Sequence, residues 1–532
     1  MAYVYYKKDS PWNDSDLSQS LSCAIQNGER IGTKVRLRYA SIILFGLNIA
    51  GAIFSFFFIA LITNKLTIEE YGTWVMLLKY VQYMMLPSII YTLWLPRDLC
   101  RGQNSARTGL YTSLIFGAAS VPLYLVLMLV ISLNFNQPLV PLLLSCLVLF
   151  FEYIFTSLSS ISSSYAPEQN GYSSVGMKAV QAIFGFVLVG AMSAGLTGAV
   201  IAAIAGRVIM NVISLYYNRT LIAASSFNMR TLKGWLSKFW LPLFGSLIGL
   251  LLTLDVIVVR IFYGNEIPIA YYGVCINILT IALLANAVAT SLYPKIVSKK
   301  NLSDMPEAIW LLLLFSVPVV FAIFIYAEPL IAIFGMKYVG VAWALRAFTI
   351  AFFVQLVATL PGAAYQALES SDENGSATTR SLLRSAWFKN SLVTLIANSF
   401  YLSMLMVSAS FGYPSLNFVS IWGAITIFSN GIYFVLILFL LKRDFNQAFP
   451  LRLLVKNLAI LSAPVPLILI PFCLVQISLS ENVFIMIQNL VLPGASSFLL
   501  YFLGLFCIDK RFRKTVHDAY VKGISILSPP RN

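Results

Sequence analysis

The chain reads as an all-α polytopic membrane protein with about 14 transmembrane helices. Three observations predict this. Apolar residues make up 59% of the sequence and charged residues only 11%, at a mean hydropathy of +0.82, whereas a soluble chain carries about 25% charged residues. Roughly fourteen apolar stretches follow one another from Tyr39 to Ile508. Lys and Arg crowd every second connection between them and nearly avoid the others. A soluble chain of 532 residues would make three or four domains by a rough length rule, but here the length is consumed by spans of about 20 residues each.

Spans are expected at 39–63, 74–95, 108–133, 138–162, 174–195, 196–218, 238–262, 267–292, 307–327, 340–366, 386–409, 414–441, 453–477 and 483–508. The positive-inside rule sets their direction. With the N-terminus inside, the inner connections hold Lys7, Lys8, Arg30, Lys34, Arg36 and Arg38, then Arg97, Arg101 and Arg107, then Lys178 alone. Arg219, Arg230, Lys233 and Lys238 follow in the central loop, and Lys295, Lys299 and Lys300 in the next. Arg380, Arg384 and Lys389 come after, then Lys442, Arg443, Arg452 and Lys456, then six basic residues in the tail (Lys510, Arg511, Arg513, Lys514, Lys522 and Arg531). That accounts for 30 of 36 basic residues; of the other six, only Lys65 and Lys337 lie clearly outside. Both termini are therefore expected in the cytoplasm and the chain in the plasma membrane. The same distribution explains the net charge of +15 without nucleic acid as a partner. The first thirty-odd residues are polar and mixed in charge, so no cleavable signal is expected.

The layout is a cytoplasmic arm (1–38), an N-lobe of six spans (39–218), an inter-lobe loop (219–237), a C-lobe of six spans (238–441), two further spans (442–508) and a cytoplasmic tail (509–532). Outer connections such as NFNQP and SLSEN are too short to fold. The inner loop 367–385 is Ser/Asp/Gly-rich and reads as flexible. The Asn-x-Ser/Thr matches at Asn13, Asn218, Asn301 and Asn374 all fall inside and are discounted as glycan acceptors. The six cysteines (23, 100, 146, 275, 473, 507) lack paired spacing and read as small apolar residues. A faint repeat links the lobes. Glu69-Glu70-Tyr71-Gly72 precedes a span closing with Leu95-Pro96-Arg97, and Ala270-Tyr271-Tyr272-Gly273 precedes one closing with Tyr293-Pro294-Lys295. Six spans separate the two, so the halves are expected to be parallel, related by an axis along the membrane normal.

Charges at bilayer depth cost about 2.5–3.5 kcal/mol on insertion scales and so face a cavity or a partner. Arg207, Asn211, Ser214 and Asn218 follow i, i+4, i+7, i+11 on one face of span six, and Glu152, Thr156, Ser159 and Ser163 do the same on span four. Each stripe reads either as a wet cavity wall, with Arg207 holding an anion, or as interhelical bonding, with Glu152 neutralising Arg207. Lys79 lies just inside the outer end of span two, ahead of the helix breaker Pro87, where a freed carbonyl offers a ligand site and snorkelling is the plain alternative. Arg260 reads as an interfacial anchor. Asp255 is five residues from it, about 140° around the helix, so it needs a partner elsewhere, and Arg346 is the candidate. The substrate-binding candidates for an anionic head group are thus Arg207, Arg346, Lys79 and Asn211, and the candidates for ion coupling are Asp255 and Glu152. The surplus of positive charge favours an anionic passenger. One His, His517, sits in the tail, and no phosphate loop or nucleophile elbow appears, so no cofactor is expected and any coupling would use H⁺, Na⁺ or the membrane potential.

Leu66-Thr67-Ile68-Glu69-Glu70-Tyr71-Gly72-Thr73-Trp74 and Phe334-Gly335-Met336-Lys337-Tyr338 resemble two recurring loops of the oligosaccharide (O-antigen-type) flippases, a family of the multidrug and toxin exporter superfamily. The resemblance covers about 39–510. It implies a central cationic cavity opening alternately to each side, which Arg207, Arg346 and Lys79 would fit. The implied activity is movement of a polyprenyl or dolichyl (di)phosphate-linked oligosaccharide to the outer leaflet, with membrane lipids and the glycosyl transferases and polymerase of the same pathway as partners. The drug-exporting branch often keeps an acid in its first span, where this chain has Asn48. Drug export, and a membrane glycosyl transferase or polymerase, remain the alternatives.

Overall fold

The computed structural model describes residues 37–237, 239–280, 296, 302–368, 385–475, 478–480 and 482–527, of which 37–45, 240–242 and 519–527 are described by backbone alone. Among them there is no strand, and twelve helices are long and apolar enough to cross a membrane. The protein is a multi-pass, all-helical membrane protein.

In chain order the helices are α1 (Leu37–Lys65), α2 (Ile68–Met84), α3 (Ile89–Thr92), α4 (Trp94–Cys100), α5 (Ala106–Phe135), α6 (Leu139–Tyr165), α7 (Glu168–Gly185), α8 (Gly195–Ala224), α9 (Met229–Ser237) and α10 (Trp240–Thr253). Then come α11 (Asp255–Tyr263), α12 (Ile267–Leu279), α13 (Met305–Ile325), α14 (Ala327–Ile333), α15 (Ala342–Ala367), α16 (Ala386–Ser410), α17 (Ser415–Phe445), α18 (Leu451–Ser462), α19 (Pro466–Leu474), α20 (Val483–Ile508) and α21 (Lys510–Leu527).

Three expected spans are broken helices. Pro87 has no amide hydrogen to donate, so α2 stops at Met84 and the chain passes through a 3-10 turn, Leu86–Ser88, into α3 and α4. Span seven parts between α10 and α11 at Leu254. Span thirteen parts between α18 and α19, where Pro464 and Pro466 fall. The left-handed caps Asn136 and Gly264 end α5 and α11, and the Gly264 amide donates to the Arg260 carbonyl at 3.0 Å. Of span eight only 267–280 is described, as the helix Ile267–Leu279 and the residue after it. The basic residues of the N-terminal arm up to Arg36, Lys238, the Pro294-Lys295 exit of the repeat, Lys299, Lys300, the Ser/Asp/Gly-rich loop with Arg380 and Arg384, Arg531, Cys23, Asn13, Asn301 and Asn374 lie outside the described residues.

The helices divide into two compact units, one holding the chain to Phe58 together with Tyr80–Leu247, the other Ile59–Lys79 together with the chain from Ile248 onward. In the first, α5 packs along α6, and α8 packs along both α6 and α7. The α7–α8 approach is close: a methyl at Gly206 would lie 2.8 Å from the Met177 carbonyl and 3.2 Å from Gln181 Cβ. The segment 219–237 is largely helix rather than an open loop, since α8 runs to Ala224 and α9 follows. Leu232 and Trp235 of α9 are buried, and Trp235 Nε1 donates to Asp98 at 2.7 Å.

In the second unit α15 lies along α17, and the two Tyr-Gly pairs of the repeat meet. A methyl at Gly273 would lie 2.6 Å from Val75 Cγ2, and one at Gly72 would lie 2.4 Å from the Glu266 carbonyl. Asn277 Nδ2 donates to the Tyr71 hydroxyl at 2.9 Å. Both loops that carry the family resemblance join here. Asn64 Nδ2 donates to the Ile333 carbonyl at 2.9 Å, the Lys337 ammonium donates to the Leu66 carbonyl, and Tyr71 meets Tyr338 edge to face.

Candidate functional site

In the first unit Arg207 sits near the middle of the 30-residue helix α8. Its Nε donates to Glu152 of α6 at 2.9 Å, with side chains 13% and 28% exposed. Of the two readings of Glu152, the ion pair to Arg207 is the one found. Below the pair the polar stripe is not a wet wall. Asn211 Nδ2 donates to the Phe151 and Arg207 carbonyls, both at 2.9 Å, so its amide serves helix packing instead of a head group. Its Oδ1 is buried without a hydrogen-bond partner. Ser214 donates to Ser173 at 2.8 Å, and the buried Asn218 donates to Ser162 at 2.9 Å and accepts from Tyr165 at 2.8 Å. The matching stripe on α6 is also bonded: Thr156 meets the Tyr91 hydroxyl at 2.9 Å, and Ser163 accepts from Asn170 at 3.0 Å. Such hydrogen bonds hold helices together where lipid provides no hydrophobic drive. At the end of α2 the Met84 carbonyl accepts from the Tyr153 hydroxyl at 2.5 Å.

Lys178 is the residue that counting along the sequence misplaces. It belongs to α7, not to a connection, and is half-buried. A methyl at Gly51 of α1 would lie 3.2 Å from its Cδ and 3.3 Å from its Nζ. The missed signal is its distance from the chain's helix-starting Pro167-Glu168, which puts the lysine nearly three turns inside the helix.

In the second unit Asp255, 2% exposed, opens the half-helix α11. Its Oδ2 accepts from the Tyr401 hydroxyl at 2.9 Å and its Oδ1 from the Val256 amide at 2.7 Å. The Tyr272 hydroxyl also bonds it, and Lys79 acts on it electrostatically. Tyr401 accepts in turn from Trp422 Nε1 at 2.5 Å, and the Trp422 ring stacks on Tyr272 at 4.2 Å. The expected Asp255–Arg346 pairing is corrected. Arg346 instead reaches Glu328 at 3.3 Å and lies 4.7 Å over the Trp343 ring; its Nε also donates to the Phe324 carbonyl at 3.3 Å, four residues before that carboxylate. Arg260 is no interfacial anchor. It is 4% exposed and paired to Glu266 at 2.9 Å. The structure therefore gathers Arg207, Glu152 and Asn211 in one unit, and Lys79 with Asp255 in the other, and leaves Arg346 apart from Asp255.

No family model matches the sequence, and no curated protein matches it. Solved structures do. The lipid II flippase MurJ in an inward closed conformation aligns at TM-score 0.63 and 15% identity, over 89% of this chain and 100% of that one. A multidrug resistance MATE family transporter of the MOP superfamily, inward-facing, aligns at TM-score 0.56 and 13% identity, over 74% of this chain and 97% of that one. A MATE transporter of Vibrio cholerae aligns at TM-score 0.50 and 14% identity, over 81% of this chain and 99% of that one. At these identities the likeness is one of fold, and that fold is shared by a lipid flippase and by drug transporters.

Proposed function

We propose that this chain is an alternating-access flippase carrying a polyprenyl or dolichyl (di)phosphate-linked oligosaccharide from the cytoplasmic to the outer leaflet of the plasma membrane, for cell-surface polysaccharide or glycoprotein synthesis. Transport, not catalysis, is its activity. The observation that carries the reading is the Arg207–Glu152 pair, deep in the first unit yet still 13% and 28% exposed. A guanidinium offers a planar fork of donors that suits phosphate as well as carboxylate. An arriving phosphate competes with Glu152 for Arg207, and the released carboxylate then takes up H⁺ or Na⁺. Asp255, with Lys79 as its resident counter-charge, is the second candidate for coupling. The sugar and phosphate occupy the polar interior while the lipid tail stays in the bilayer. A head group of charge about −2 moving outward down an inside-negative potential of about 100 mV gains roughly 4–5 kcal/mol. Pathway glycosyl transferases and polymerase are the expected partners.

The test is export of lipid-linked sugar by Arg207→Ala at matched protein level. Loss of roughly ten-fold or more is expected; unchanged export would sink the anion-site idea. The fold shared with MATE transporters keeps drug export as the second reading. It expects raised drug sensitivity, with intact surface polysaccharide, in cells lacking the protein.

A further inference from the structure

Among the described residues, four basic side chains at mid-chain depth in these helices have a carboxylate nearby. Arg207 has Glu152, Arg260 has Glu266, Arg346 has Glu328, and Lys79 has Asp255. Lys178 differs: among the described residues no carboxylate is placed against it. Its depth makes this unusual. The apolar helix that begins at Glu168 runs 24 residues to Ala191, and Lys178 is ten residues in, about 15 Å from the start at 1.5 Å per residue. A lysine stem is too short to carry its ammonium that far back to water.

The packing of α7 on α8 fixes the level independently. Gly206 abuts Met177 and Gln181, and Gly176 abuts Ile209 and Ile213. Lys178 therefore lies at the depth of Arg207, one helix away. It points instead toward α1, where its Cδ and Nζ fill the space that the missing side chain of Gly51 leaves. A charged group at this depth needs an opposite charge, and the described residues supply none.

We propose that Lys178, in the space left by Gly51, is the binding residue for the phosphate of a lipid-linked passenger, held as a point charge, while Arg207 exchanges between Glu152 and substrate. This rests on the flippase reading and gives it an anion receptor that no carboxylate among the described residues occupies. A balanced pair must first be broken before it binds an anion; an unpaired ammonium need not be.

The test uses the purified full chain in nanodiscs of zwitterionic lipid, titrated with polyprenyl phosphate and with the uncharged polyprenol of equal length. Wild type is expected to prefer the phosphate. Lys178→Met should lose roughly ten-fold or more of that preference, while Lys178→Arg stays within about three-fold because the charge is kept. Gly51→Ala should also weaken the phosphate form, since its methyl crowds the movable end of the lysine and otherwise meets Val175 at an ordinary 3.7 Å, so the protein stays folded. If Lys178→Met keeps full preference while Arg207→Ala loses it, the Lys178 assignment is overturned and the flippase reading stands. If wild type shows no preference for the phosphate, both fall. Should Lys178→Met fail to fold, Lys178→Arg and Gly51→Ala decide: retained binding in the first with loss in the second supports the assignment, and wild-type binding in Gly51→Ala overturns it.

Discussion

At the scale of single residues, the chemistry at Asp255 shows how much a pattern leaves open. That a buried carboxylate on span seven needs a partner follows from the cost of burying charge. Which partner answers is decided by helices far along the chain, α16 and α17, through Tyr401 and Trp422. Tyr401→Phe removes a donor to Asp255 and the acceptor of the Trp422 indole at one stroke. It should lower stability by about 1–3 kcal/mol, the usual cost of stranding buried polar groups, read as a fall in melting temperature in detergent. A variant melting with wild type would mean that water replaces the hydroxyl. For Arg207 and Glu152, the matched mid-span polar stripes left an ion pair as one of two readings, the other being a cavity wall. Lys178 was not legible, because alternation of charge invites every lone basic residue between two apolar runs to be read as a connection.

At the scale of elements, the stripe on α8 is a seam. Asn218 is fully buried and bonded to Ser162 and Tyr165 of α6. Asn218→Leu should cost about 1 kcal/mol, in the range of polar contacts between membrane helices, and leave transport near normal once protein levels are matched. A loss of export at full stability would return the stripe to the substrate path. Glycine sets the other contact. At Gly72 an added Cβ would stand 2.4 Å from the Glu266 backbone carbonyl, and backbone does not yield as a side-chain tip does. Gly72→Ala should therefore reduce folded yield sharply in fluorescence-detected size exclusion, whereas Gly46→Ala, with open space around it, should be silent. The Tyr-Gly repeat was visible as a spacing; that its two copies touch was not, because a repeat states similarity and says nothing of contact.

At the scale of the whole molecule, orientation is carried by charge outside the spans. Both termini are predicted to lie in the cytoplasm. A C-terminal fluorescent protein should mature, and a C-terminal periplasmic alkaline phosphatase should stay inactive; active phosphatase would reverse the topology and, with it, the direction of transport argued from the membrane potential. The shared fold with lipid and drug transporters fits twelve long apolar helices and the further spans that are broken or partly described.

The sequence by itself determined the class and the helix count to within broken spans, because hydropathy and charge act locally on each segment as it enters the bilayer. It also marked Pro87 as a break. Only the tertiary structure decided who partners whom: Glu152 with Arg207, Glu328 with Arg346, Tyr401 with Asp255, and, among the described residues, no carboxylate with Lys178. Those outcomes depend on which helix faces are brought within a few ångströms of each other. Lipid-facing and protein-facing apolar surfaces look alike in sequence, so periodicity alone does not select the faces that meet.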